Sequence, residues 1–217
     1  MTSIRVIALT LVGVLLAGCA SVDVPTRALP SPSVSTSDIA VMPTLNVKEV
    51  RVSVPEHLEV SEANTYLPKG DILWRGEAPG DRHAQVGAIF DTAMARGTAS
   101  MKSGVPVKLD IQVTRFHALS DRTRQSVGGV HSIRFVLNVR DARTGELLRP
   151  AKMIQADIKG YGGQAAWRAE VAGQTQKVRI TDFLASVIAT ELTNPNGFEN
   201  NRLGLIQRLN HQAGTST

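Results

Sequence analysis

Val105-Pro106-Val107-Lys108-Leu109-Asp110-Ile111-Gln112-Val113-Thr114 alternates apolar and polar side chains. Val107, Leu109, Ile111 and Val113 fall on one side, and Lys108, Asp110, Gln112 and Thr114 on the other. A period of two is what a strand with one buried face requires. The strand is expected to run on to Leu119. A second follows from Val130 to Arg140, with Ile133, Phe135, Leu137 and Val139 set against Ser132, Arg134, Val136, Asn138 and Arg140. Asp141-Ala142-Arg143-Thr144-Gly145-Glu146 reads as a hairpin turn with a late glycine. Leu147 to Lys159 then closes a meander, its Ile154, Ala156 and Ile158 out of phase with Met153, Gln155, Asp157 and Lys159. Three neighbouring strands, each with one apolar side, describe an antiparallel sheet covered on one face.

Moving outward, the period changes. Val86, Ile89, Phe90, Ala93 and Met94 recur at three- and four-residue spacing, which gives a helix with one apolar stripe. Asp81 is placed to cap its start, and Arg96-Gly97 marks its end. Ile180, Phe183, Leu184, Val187, Ile188 and Leu192 form a second such stripe, in a helix expected to begin near Gln164 and to be broken by Asn194-Pro195-Asn196-Gly197. Upstream, Val47, Val50, Val52 and Val54 read as a strand with an irregularity near Lys48-Glu49, ended by Pro55. Asp71 to Arg75 is a short strand. The order β-β-α-β-β-β-α, with two helices on one face of a mainly antiparallel sheet, predicts a two-layer α+β sandwich over residues 46–192. Residues 193–217 read as a C-terminal tail with a short amphipathic piece, Leu203 to Leu209.

The amino-terminal segment is of another kind. Arg5 precedes an apolar run, Val6 to Leu16, of signal-peptide length and too short for a membrane span. Leu16-Ala17-Gly18-Cys19 resembles the bacterial lipobox. The resemblance implies cleavage after residue 18, a diacylglycerol on the Cys19 sulfur and acylation of the new amino terminus. The alternative is a free thiol after an ordinary signal. Cys19 is the only cysteine of the 217 residues, so the chain cannot form an internal disulfide. More than one acyl chain on a residue makes anchoring stable. Ala20-Ser21 follow, with no aspartate beside Cys19, and the resemblance to envelope lipoproteins then implies the outer membrane rather than retention at the inner one. Residues 19–45, with Pro25, Pro30, Pro32 and Pro43 among serine and threonine, read as anchor and linker.

Composition excludes little else. The chain is 42% hydrophobic and 4% aromatic, with formal charge +5 and a pI near 9.7. The basic residues are scattered rather than interleaved with aromatics, which argues against nucleic acid. No G-x-S-x-G, P-loop or H-E-x-x-H motif occurs. Among His57, His83, His117, His131 and His211 no two stand at metal-ligand spacing, so no metal or cofactor is expected. His117 and His131 lie on adjacent expected strands and could meet, but a pair would still need a carboxylate to bind zinc, and surface or hydrogen-bonded histidine is the reading preferred. Asp110, Asp141, Asp157 and Asp182 are scattered. Gly128-Gly129 and Gly160-Tyr161-Gly162-Gly163 serve as turns with positive φ or, for the second, as an anion cradle before a helix. Arg122 and Arg124 sit in a polar connection after His117. Together with Gly128, Gly129 and His131 they form the candidate partner-binding set.

The stretches Thr114–Ser120, Val127–Ile133 and Gln176–Asp182 resemble an uncharacterised family of alphaproteobacterial lipoproteins, over roughly residues 46–192. The layout is distantly similar to auxiliary lipoproteins of envelope lipid-transport ABC systems. The anchor, the linker and the missing catalytic set lead to the expectation of a membrane-anchored, periplasm-facing, non-enzymatic protein that joins an envelope complex, an accessory to lipid or solute transport or to envelope maintenance, through the sheet face left uncovered by helices or a free sheet edge. A lipid- or small-molecule-binding module with a groove between sheet and helices is the alternative, and an envelope hydrolase using His117 or His131 a third.

Overall fold

A computed structural model describes residues 43–205 and 207 of the chain. The expected signal, Cys19 and nearly all of the linker lie outside them. The described chain is a mixed α+β fold built on a five-stranded, mostly antiparallel open sheet with four helices. Its elements are β1 (Leu45–Ser53), β2 (Ile72–Leu73), α1 (Arg82–Gly97), β3 (Val105–His117), α2 (Asp121–Gln125), β4 (Gly129–Asp141), β5 (Lys152–Gly160), α3 (Gly163–Val171) and α4 (Gln176–Thr193). Among the described residues no helix is long and apolar enough to cross a membrane.

The sheet order is β1-β3-β4-β5, and β2 also pairs with β3. The meander β3-β4-β5 is antiparallel as expected, with Ile111 opposite Leu137 and Phe135 opposite Ile154. β1 and β2 run parallel to β3, β1 along its first part and β2 beside Phe116 and His117. The expected irregularity in β1 is real: the register shifts between Val47 and Glu49. The strand expected over Asp71–Arg75 shrinks to Ile72–Leu73, although Trp74 is as buried as both.

A second register shift, between Val113 and Arg115, decides the rest of the molecule. Before it, Val107, Leu109, Ile111 and Val113 are buried. After it, Phe116 takes over that face opposite Ile133, while Arg115 and His117 lie opposite Arg134 and Ser132 on the other one.

α1 starts where Asp81 accepts the Ala84 N–H at 3.0 Å. It packs along α4, and Gly97 permits the contact: a Cβ there would overlap the Ala185 carbonyl and the Ile188 side chain. The buried stripes of α1 and α4 join the apolar sheet residues in one core. Phe90 is its hub, edge-on to Phe135 at 5.5 Å and to Phe116 at 6.3 Å, and Phe116 is in turn edge-on to Trp74 at 5.6 Å. These fully buried rings fill the space where the sequence allowed a groove between sheet and helices. The last helix also departs from expectation. It is split at Ala172–Thr175, where Gly173 has φ +73, leaving α3 with no buried residue at all.

Candidate functional site

The ends of β3 and β5 and the start of β4 meet at one pole of the sheet, opposite the pole where the chain enters at Leu45 beside Val105. Three segments gather on this distal pole. The first is the loop before β2, roughly residues 61–70. The second is α2, which replaces the expected irregular connection. The third is α3 with its flanking turns.

Side chains tie them together. Ser120 caps α2 and donates its hydroxyl to the Thr65 carbonyl at 2.6 Å, and Asn64 accepts the Arg122 N–H at 2.7 Å. Arg75 bridges Asp121 and Glu62. Arg124 reaches Glu170 on α3 at 2.5 Å. The two glycine clusters close the join. Gly162 has no room for a Cβ because the Gly128 amide and the Val127 carbonyl carbon occupy its place, and Gly128, at φ +70, faces Gly160 and Gly162 in return. Gly128 and Gly162 press on each other's backbone, while Gly129 and Gly160 pack against the Leu119 side chain. That contact leaves no room for an anion between them.

The candidate partner residues separate. Arg122 is exposed and lies over the Tyr66 ring at 5.4 Å. Arg124 is committed to Glu170. Gly128 and Gly129 are packing positions. His131 is fully buried on the core face and corrects its assignment as a contact residue. Neither ring nitrogen has a hydrogen-bond partner. Burial, and next the Arg179 charge, push its pKa down to about 3. His117 does not meet it, because the shift after Val113 turns His117 to the opposite face. There its Nε2–H donates to the Pro68 carbonyl at 3.0 Å. Burial, then Arg115, lower its pKa to about 4. No cluster of three metal-ligating side chains occurs among the described residues.

Both histidines are therefore neutral when folded and free to protonate when unfolded. Between about pH 6.5 and 3 the unfolded chain binds more protons, so stability falls as pH falls through that window and is unaffected above it. His131→Leu is expected to flatten this acid limb without lowering stability at pH 7.5. Urea midpoints from pH 4 to pH 8 check it, and an unchanged limb would assign the acid sensitivity to other groups.

Sequence reasoning missed what surrounds His117. Arg115 and Arg134 stand opposite each other across β3 and β4. Arg115 is buried, donates Nη1 to the Gly70 carbonyl at 3.3 Å, and leaves Nε without a partner. Arg134 Nε and the buried Ser132 hydroxyl are likewise unpartnered. The loop over this end roofs what the sequence left as an open sheet face. Between loop, α2 and sheet lies a cleft of about 180 Å³, lined by Tyr66, Leu67, Leu119, Val127, Val130 and Arg115 among others.

The surface around the cleft is apolar. Tyr66, Leu67 and Val127 are 52%, 61% and 76% exposed, and Trp167 and Val171, one turn apart on α3, are 66% and 70%. Arg122 lies over the Tyr66 ring and Arg168 is exposed on α3, where it reaches Gln164, and neither forms an ion pair within the described residues. A sequence signal existed for Trp167: an exposed-stripe pair, Trp167 and Val171, at i, i+4 spacing before a glycine break.

No curated protein matches the chain. Similar solved structures include protein XCC0632 from Xanthomonas campestris, of family DUF330, with 12% identity, 70% of this chain and 82% of that one covered, and a TM-score of 0.42. A presumptive lipoprotein from Caulobacter crescentus is 16% identical over 66% of this chain and 87% of its own, with a TM-score of 0.33. A PelC dodecamer from Paraburkholderia phytofirmans supplies a third, at 11% identity, 65% and 86% coverage and a TM-score of 0.28. At these values no functional argument rests on them. The profile of a family of unknown function matches residues 45–208, well over half of the sequence, and the chain belongs to that family, DUF6778.

Proposed function

We propose that this is a lipid-anchored, periplasm-facing lipoprotein, held in the outer membrane through Cys19 after loss of residues 1–18. It acts by binding, not catalysis, as an accessory component of a cell-envelope complex such as one for lipid or solute transport. The observation that carries this reading is the cluster of Tyr66, Leu67, Val127, Trp167 and Val171 with Arg122 and Arg168 on one pole. Large apolar residues gathered on one surface mark an interaction site, and aromatics with arginine are what interfaces use. The described chain begins at the other pole, with Leu45 beside Val105. The surface replaces the uncovered sheet face expected from sequence, part of which the loop before β2 roofs.

A crosslinking pull-down from membranes tests it, comparing the wild type with Cys19→Ala and with Trp167→Ala/Val171→Ser. One partner retained by the wild type and lost from the exposed-surface variant is the expected outcome. Retention by that variant, or no partner from intact membranes, would overturn the docking surface. Wild-type protein in the soluble fraction would overturn the anchor. A second reading, a lipid- or small-molecule-binding module, is favoured by one observation, the cleft over Arg115.

A further inference from the structure

The cleft on the distal pole combines two chemistries that a packed interior keeps apart. Its walls are apolar, with Leu67, Leu119, Val127 and Val130 facing one another across about 180 Å³. Its one charged lining residue is Arg115. This guanidinium is buried, with a single hydrogen bond to the Gly70 carbonyl and a buried Nε that has none. Arg134 lies directly opposite on β4, with its own Nε unpartnered. Two guanidinium groups side by side repel. Neither forms an ion pair within 4 Å among the described residues. Asp71 and Asp157 are the carboxylates whose charges favour the Arg115 cation, but neither stands within ion-pair distance of it and both are held by other donors. Asp71 accepts the Glu59 N–H, and Asp157 accepts the side-chain amides of Gln155, Asn200 and Gln207. His117, which also lines the cleft, is held neutral by its burial and adds no charge.

A buried cation with an unspent donor is expensive unless something anionic completes it. The cleft opens to solvent past Tyr66, Leu67 and Val127, so the complement can come from outside. An inorganic anion would satisfy the guanidinium and leave the apolar walls wet. A neutral apolar molecule would fill the walls and leave Arg115 unsatisfied. We infer that the cleft binds a single-chain amphiphile with an anionic head, a carboxylate or a phosphate, its head at Arg115 and the start of its chain between Leu67, Leu119, Val127 and Val130. Val127 and Leu67, the most exposed of these walls, are the side chains the bound chain would cover. The site stands whether or not a protein partner docks on the pole around it.

The test uses the full chain carrying Cys19→Ala, so that added amphiphile is the sole lipid present. Titration calorimetry with decanoate, decyl phosphate, decanol and decyltrimethylammonium, each below its micellar concentration, reads the head-group preference. Saturable binding of one equivalent of decanoate or decyl phosphate is expected, about tenfold or more tighter than decanol, the factor a charge-assisted hydrogen bond supplies. Which of the two anions binds tighter distinguishes a fatty acid from a phosphate-headed lipid. Arg115→Gln is expected to bring the anion-to-alcohol ratio down to about one. Val127→Asp, at an exposed rim position where folding is insensitive, is expected to weaken anion binding about tenfold through lost contact and like-charge repulsion. Equal binding of decanoate and decanol, binding of the cation as tightly as the anions, no binding by any, or decanoate binding unchanged by Val127→Asp would each overturn the site. None of these outcomes touches the crosslinking result at Trp167 and Val171.

Discussion

Phe90→Ala lowers the free energy of unfolding by about 3–5 kcal/mol, a large part of the roughly 5–15 kcal/mol that a domain of this size has. Phe90 projects from the middle of α1 and is fully buried. Its ring is edge-on to Phe135 of β4 and Phe116 of β3, and Phe116 carries Trp74 after β2. Truncation removes the transfer free energy of the ring and the edge-to-face contacts, which add about 0.5–1.5 kcal/mol per pair. It also leaves a cavity whose walls are strand residues fixed by the ladder and unable to collapse into it. Phe90→Leu fills most of that space and is expected to cost about 1.5 kcal/mol. Urea unfolding of the two variants reads the difference. A loss below about 1 kcal/mol for the alanine variant would mean that the aromatic chain does not hold α1 to the sheet.

Gly162→Ala is the second large effect, about 3 kcal/mol or more, because its Cβ meets the backbone of residues 127 and 128, and backbone cannot turn away as a side chain does. Gly145 supplies the control. It has φ +78, but nothing lies within 4 Å of its Cβ position. Gly145→Ala therefore costs only the left-handed strain, about 1 kcal/mol. Gly128→Ala suffers both penalties. The double replacement at 128 and 162 is expected to cost less than the sum of the singles, since one displacement of the two turns relieves both overlaps. Additive losses in urea unfolding would show that the turns do not press on each other. Amide exchange should locate the damage at residues 127–131 and 160–164.

Much of the sheet was legible because burial on one face writes a period of two into β3, β4 and β5. α1 was legible from its stripe and from the Asp81 cap. Direction and continuity were not. Nothing in the alternation of β1 says whether it lies parallel or antiparallel to β3. The shift at Thr114 adds a single residue, and the apolar run through Val113, Phe116 and Leu119 conceals it, since Phe116 simply takes up the face that Arg115 leaves. That one residue carried His117 away from His131 and brought Arg115 beside Arg134. The join between α3 and α4 was hidden for a similar reason: Ala165, Ala166 and Ala169 are strong helix formers, so propensity gave no sign of a break until Gly173. The distal pole emerged only from tertiary placement. Tyr66, Val127 and Trp167 stand far apart in sequence, and each alone is an ordinary exposed residue.

β5 ends the sheet, and its outer rim would ordinarily offer free donors and acceptors to any extended chain. At Asp157 it does not. The Asp157 N–H donates to the Asn200 side chain at 2.8 Å, and its carbonyl accepts from the Asn201 amide at 3.1 Å. Two side-chain amides thus imitate the next strand for the length of one residue. A neighbouring molecule trying to extend the sheet finds the centre of that rim already spoken for. The segment that reads as a mere tail thereby closes this border at Asp157 to a further strand.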